Sequence, residues 1–210
     1  MTPVVEPQPV ARWRTHLAIA WALLFAVILT FIFFKLKEFV FVGWRGLNLW
    51  FILMNVPAIA VTFLLAKTLM RLHPVLAWKP SDLFFRPRAG AGGESSLLLT
   101  AMRAKFIGPI VTLLLLVNLP VIAMLEEFIF RQGTDGWTGA VWRSALFGLA
   151  HLGMNIQLGA SLAIGCIGLW FSAWYFRGGL ELAAAVHFAY ILPIVALGAV
   201  GLVQARLRRR

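Results

Sequence analysis

The chain has 210 residues with 61% apolar content, a net charge of +11 and a mean hydropathy of +0.86. Such a composition excludes an ordinary soluble domain and predicts an integral membrane protein of one domain, residues 1–210. The Lys and Arg residues lie between apolar runs, which is typical of membrane topology and argues against nucleic acid as a partner.

Six apolar runs are predicted to be transmembrane helices, because lipid offers the backbone no other hydrogen-bond partners. They are Leu17–Phe34, Leu47–Ala66, Phe106–Phe130, Gly139–Leu152, Ile156–Phe176 and Leu180–Val203. The predicted fold is therefore all-α, a polytopic integral membrane protein with about six transmembrane helices and an intramembrane polar site. Three basic segments flank these runs: the N-terminal segment 1–16, the loop 67–105 and the C-terminal tail 204–210.

The distribution of positive charge predicts the topology. With six spans, thirteen of the 19 Lys and Arg residues fall on one side of the membrane and six on the other. Cytoplasmic loops carry the excess of positive charge, so both termini are predicted to lie in the cytoplasm, with the chain in the cell inner (plasma) membrane. The third helix then begins inside, and residues near its C-terminal end lie toward the outer face.

Two adjacent acids, Glu126 and Glu127, end the third apolar run. Ionisable groups at membrane depth face a protein interior or a water pocket, and they indicate function by default. Glu127 and Arg131 are four residues apart, so they are predicted to form an ion pair on one helix face. Glu126 is turned about 100° away on a helix of roughly 3.6 residues per turn. We interpret Glu127 and Arg131 as supporting residues and Glu126 as the acid available for chemistry.

Three further polar residues interrupt apolar runs: His151, Asn155 and His187. A carboxylate and two imidazoles around one water support hydrolysis. Glu126 and His151 would deprotonate the water, and a second imidazole would donate to the oxyanion. Glu with two His could instead bind zinc or iron, although no HExxH helix is present, and spacing alone leaves both alternatives open.

Other intramembrane activities fit the sequence less well. Ser161 lacks the following glycine expected beside a rhomboid nucleophile, and the only aspartates, Asp82 and Asp135, lie in loops. A proton-coupled transporter would be expected to carry an inverted repeat, which the sequence does not show. A non-enzymatic membrane scaffold or immunity protein, with a purely structural polar cluster, is the alternative from a different class.

These residues resemble the CPBP, or Abi, family of intramembrane proteases, which includes the CAAX prenyl endopeptidases and bacteriocin-processing relatives. Glu126-Glu127-xxx-Arg131 matches the first family motif, Phe147-xxx-His151 the second, and His187 begins the third. The resemblance covers roughly residues 110–191, within the predicted catalytic core 106–191. Each motif is short, but the three occur in order on separate apolar helices.

The resemblance implies a glutamic protease without metal or other cofactor. By position, Glu126 and His151 activate water and His187 binds the oxyanion. The family's Asn, four residues after the last His, is replaced by Ile191, and Tyr190 or Asn155 are candidates for its place. The implied substrate is a membrane-anchored or tail-anchored protein, cleaved within the bilayer, for example at a C-terminal sorting tail.

Overall fold

The structure, a computed structural model, describes residues 10–80, 107–154 and 156–207. Every regular element in these ranges is helical, which confirms the predicted all-α class. The helices are α1 (Val10–Arg45), α2 (Leu49–Leu72), α3 (Ile107–Arg131), α4 (Trp137–Ala150) and a long helical run, Leu158–Leu207. Two short 3-10 turns, Pro74–Ala77 and His151–Met154, follow α2 and α4.

The long run Leu158–Leu207 is two helices joined at a glycine pair. Gly178 and Gly179 have non-helical backbone angles, and Gly179 has a φ of +72°, a conformation that favours glycine. The rings of Phe171 and His187 stack with centroids 4.3 Å apart, whereas sixteen residues of continuous helix would separate them by about 24 Å. The chain therefore folds back at this pair, and helices α5 (158–177) and α6 (180–207) form a hairpin.

Each of the six predicted runs lies largely within one of these helices, but the bounds differ. The first helix extends well beyond Leu17–Phe34 in both directions and contains a non-helical residue at Leu36. Helix α2 continues to Leu72, into the segment predicted as the basic loop 67–105. Helix α4 ends at Ala150, so His151 lies in the 3-10 turn that follows. Hydrophobicity marks the apolar part of a helix, whereas the backbone hydrogen bonding continues through charged residues at its ends.

Three of the described helical stretches are long and apolar enough to cross a membrane. They are Leu49–Leu72, Pro109–Arg131 and Leu158–Gly201, the last of which contains the hairpin. Large apolar side chains are exposed on these and the other helices, for example Phe31, Phe63, Leu113, Trp142 and Leu197. Exposed apolar surface of this extent is expected to contact lipid, so the structure is compatible with a membrane protein.

Two apolar clusters hold the helices together around α3 and α6. In the first, Leu119 and Ala123 of α3 pack with Phe188 of α6 and Trp44 of α1. Gly43 allows α1 to approach Pro120 so closely that a Cβ there would overlap the proline ring. In the second cluster, Phe147, Phe171 and Val186 join α4, α5 and α6. The polar residues at the end of α3 lie beside this second cluster.

Candidate active site

The predicted ion pair within α3 is present and entirely buried. Arg131 Nε lies 3.3 Å from Glu127 Oε2, and both side chains are 0% exposed. One helical turn separates the two residues, so the pair needs no contribution from another helix. An isolated buried charge would be very costly, so each partner makes burial of the other possible.

Residues from α4 and α5 enclose the guanidinium of Arg131. Its Nη2 donates to the carbonyl oxygen of Gly168 at 3.0 Å. Its Cζ lies 4.4 Å from the ring centroid of Phe147 and 5.7 Å from that of Phe171. Cation–π contacts of this kind stabilise a cation that has lost its water. Helix α5 reaches the guanidinium because Gly168 has no side chain: a Cβ there would lie 2.9 Å from both Arg131 Nη2 and Ser144 Cβ.

The Gly168→Ala substitution is expected to lower the free energy of unfolding by about 1–3 kcal/mol, because the new methyl group overpacks the contact with Arg131. Thermal unfolding of the detergent-purified protein measures the change. Gly198→Ala is the matched control, since a Cβ at Gly198 of α6 meets nothing within 4 Å. Equal stability of the two variants would contradict the close packing at Gly168.

His187 of α6 lies between the two glutamates. Its Nδ1 is 2.8 Å from Glu127 Oε1, and its Nε2 is 3.4 Å from Glu126 Oε2. An ionised carboxylate only accepts hydrogen bonds, so Nδ1–H donates a hydrogen bond to Glu127 Oε1. This bond orients the ring and leaves Nε2 facing Glu126. The Nε2–Glu126 contact is longer than the roughly 2.7–2.9 Å of a charge-assisted hydrogen bond, so it holds Glu126 only loosely.

Glu126 differs from the rest of this cluster in its accessibility. Its side chain is 19% exposed, whereas Glu127 and Arg131 are 0% exposed and His187 is 2% exposed. A carboxylate that water can reach, beside an imidazole nitrogen, is suited to taking up and returning a proton.

His151 lies in the 3-10 turn after α4 and does not join this cluster directly. Its Nδ1 is 2.8 Å from the carbonyl oxygen of Phe147, one turn back on its own helix. The Phe147 ring contacts both histidines, with centroids 4.8 Å from His151 and 5.6 Å from His187. Within the described ranges, no hydrogen bond or ion pair joins His151 to Glu126. The structure therefore brings together Glu126, Glu127, Arg131 and His187, and His151 contacts Phe147.

Tyr190 and Asn155 are the two residues predicted to take the place of the family's asparagine, and the structure describes only Tyr190. Tyr190 is buried, and its hydroxyl donates to Thr62 Oγ1 of α2 at 2.9 Å. Its ring packs against the edge of Phe171, with centroids 5.4 Å apart. Ile191 packs against both apolar clusters. Asn155 lies outside the described residues. The Tyr190 hydroxyl is thus engaged with α2 in this structure.

Sequence reasoning missed a polar contact between α2 and the helix that carries His187. Asn55 is fully buried, and its Nδ2 donates to the carbonyl oxygen of Val186 at 3.0 Å. Its Oδ1 accepts from Trp170 Nε1 of α5, also at 3.0 Å. Asn55 therefore links three helices at the residue before His187. An asparagine inside the second apolar run is the same signal that singled out the histidines, so the sequence did contain it.

The sequence leaves open a zinc or iron site formed by a glutamate and two histidines. Among residues 10–80, 107–154 and 156–207, no group of three or more His, Cys, Asp and Glu side chains is arranged to hold a metal ion. The nitrogen of His187 nearest to Glu127 is committed to that carboxylate. In this structure His187 contacts Glu127 by a hydrogen bond and Glu126 by an ion-pair contact.

The fold and the site together define an all-helical protein with apolar helices of membrane-spanning length and a buried Glu-Glu-Arg-His cluster. Comparison with protein-family models, with curated proteins and with solved structures gave no match.

Proposed function

We propose that this protein is an intramembrane endopeptidase of the glutamic type. The observation that carries the proposal is the accessibility of one acid in a buried cluster: Glu126 is 19% exposed and lies 3.4 Å from a histidine that Glu127 orients. A general base must be reachable by water and substrate, whereas the residues that position it are best held rigid. Glu126 meets the first requirement, and Glu127, Arg131 and His187 meet the second.

In the proposed reaction, Glu126 takes a proton from water as the water oxygen attacks a peptide carbonyl carbon. The negative charge that develops on the carbonyl oxygen is stabilised by a hydrogen bond from His187, whose Nε2 lies 3.4 Å from Glu126 Oε2. Glu126 then returns its proton to the departing amine as the carbon–nitrogen bond breaks, leaving a carboxylic acid and an amine as products. His151, whose ring contacts Phe147, remains the predicted second residue for water activation.

We also propose where the protein lies in the cell and which class of substrate it cleaves. Six transmembrane helices in the plasma membrane, with both termini cytoplasmic, would place Glu126 in the outer half of the bilayer. A membrane-embedded or lipidated protein segment, such as the C-terminal sorting tail of an exported protein, would meet the site from that side. The resemblance to CPBP proteases in the motifs of Glu126, His151 and His187 supports the same substrate class.

A second candidate is a non-enzymatic membrane scaffold or immunity protein. The observation that favours it is the position of His151, whose Nδ1 lies 2.8 Å from the Phe147 carbonyl oxygen and which, in the described part of the chain, has no hydrogen bond or ion pair with Glu126. Ile191, which cannot donate a hydrogen bond, agrees with this reading. The polar cluster would then serve only to fix the packing of α3 against α6.

Comparison of cells that produce the native protein or the Glu126→Ala variant tests the peptidase directly. Mass spectrometry of membrane and exported fractions is expected to find a protein tail retained only with the variant. Glu181→Ala is the matched control, since Glu181 is an exposed acid on α6, the helix that carries His187. Identical peptide termini in all three strains would reject the endopeptidase and favour the scaffold.

A further inference from the structure

A surface cavity lies where the α3–α4 connection meets the end of α5. Its volume is about 380 Å³, within the range of roughly 300–1,000 Å³ that is typical of small-molecule sites. The walls are largely apolar, and the lining residues are Asp135, Gly136, Trp137, Ala173, Phe176 and Arg177. None of these residues belongs to the Glu126 cluster, and the catalytic proposal does not use the cavity.

A carboxylate, that of Asp135, and a guanidinium, that of Arg177, line this cavity. Within the part of the chain that the structure describes, no ion pair or hydrogen bond joins Asp135 to Arg177. Both side chains are exposed, and the Arg177 guanidinium lies over the Trp174 ring, 5.2 Å from its centroid. Two opposite charges on one cavity are each available to a ligand that carries both signs.

The aromatic residues around the cavity indicate its depth in a bilayer. Trp137 and Phe176 contact each other edge to face, with centroids 5.2 Å apart, at the start of α4 and the end of α5. Tryptophan at a helix end is typical of the level of the lipid headgroups. An apolar wall with charges at that level matches a phospholipid, whose headgroup is charged and whose chains are apolar.

We infer that this cavity binds the headgroup of phosphatidylethanolamine, with Arg177 on the phosphate and Asp135 on the primary ammonium. A headgroup with a phosphate and a primary ammonium satisfies both side chains. Phosphatidylserine has both groups, but its additional carboxylate would be repelled by Asp135, whereas phosphatidylethanolamine carries no such group. Phosphatidylcholine carries a cation that cannot donate hydrogen bonds, and phosphatidylglycerol has no cation to pair with Asp135. The inference depends on the proposed membrane location but not on the proposed peptidase activity.

Native mass spectrometry of the full-length protein, titrated separately with dioleoyl-phosphatidylethanolamine, -phosphatidylcholine and -phosphatidylglycerol, tests this site. Arg177→Gln is expected to weaken phosphatidylethanolamine binding about tenfold, as for the loss of one charge-assisted hydrogen bond. Asp135→Asn is expected to weaken phosphatidylethanolamine binding to a similar extent and to strengthen phosphatidylglycerol binding, because the repelling carboxylate is gone. Ala173→Trp, which fills the cavity without changing its charge, is expected to remove the preference for phosphatidylethanolamine.

Glu38→Gln and Arg45→Gln are the charge-matched controls, since both residues are exposed on α1 and neither lines the cavity. They correct for the general attraction of anionic lipid to a chain of net charge +11. Equal affinity of the native protein for phosphatidylethanolamine and phosphatidylglycerol would overturn the assignment. So would an Asp135→Asn variant that binds all three lipids as its Glu38→Gln control does. A Glu126→Gln variant is expected to bind lipid normally, so failure of this inference and failure of the peptidase proposal are separable.

Discussion

Glu126→Gln is expected to reduce peptide cleavage by about 10²–10⁴-fold, the contribution typical of a general base. The unfolding temperature of the variant is expected to equal that of the native protein. The amide cannot take a proton from water, but it keeps the size of the acid. The carboxylate is partly exposed, and among the described residues its ion pair is the loose contact with His187. His187 keeps its bond to Glu127 in this variant, so no buried charge loses its partner. Cleavage of a reporter substrate by purified protein, with a parallel thermal-shift measurement, gives both quantities.

Glu181→Gln is the control for this experiment, because it removes an exposed acid from α6 without touching the cluster. Its activity and stability are both expected to match the native protein. Full activity of Glu126→Gln would reject the assigned base. A parallel loss of stability in the Glu126, His151 and His187 variants would instead support the scaffold, because only packing would then connect them.

Glu127→Ala is expected to destabilise the protein by about 3–5 kcal/mol, because it leaves the fully buried Arg131 without its counter-ion. The same change removes the acceptor of His187 Nδ1, so the imidazole loses its fixed orientation. Chemical unfolding in mixed micelles measures the first effect. Cleavage activity is expected to fall as well, as a consequence of the lost His187 position.

The double variant Glu127→Leu with Arg131→Met separates charge from packing. Removing both partners of a buried ion pair and keeping similar volume is often much less destabilising than removing one. The double variant is therefore expected to be more stable than Glu127→Ala. If the double variant were as unstable as the single variant, the unpaired charge would not be the cause.

Local features of the site could be predicted from the sequence because helical geometry relates nearby residues. The spacing of Glu127 and Arg131 places them on one face of any helix, so their ion pair followed from position alone. The six apolar runs likewise indicated the helices, since lipid-facing segments must satisfy their own backbone hydrogen bonds. The glycine pair at 178–179 lies between the last two apolar runs, and the chain reverses its direction there.

Contacts between different helices could not be predicted from the sequence. Periodicity gives the face of a residue on its own helix but not the partner helix that this face meets. The sequence predicts that His187 shares one water with Glu126 and His151, yet the shortest hydrogen bond of His187 is to Glu127. The carbonyl of Gly168 and the Phe147 ring around Arg131 come from helices α5 and α4. Asn55 joins the neighbourhood of His187 from a distance of 131 residues along the chain. The sequence could place the charges on their helices, whereas only the packed bundle could decide which charges meet, because that depends on long-range steric fit.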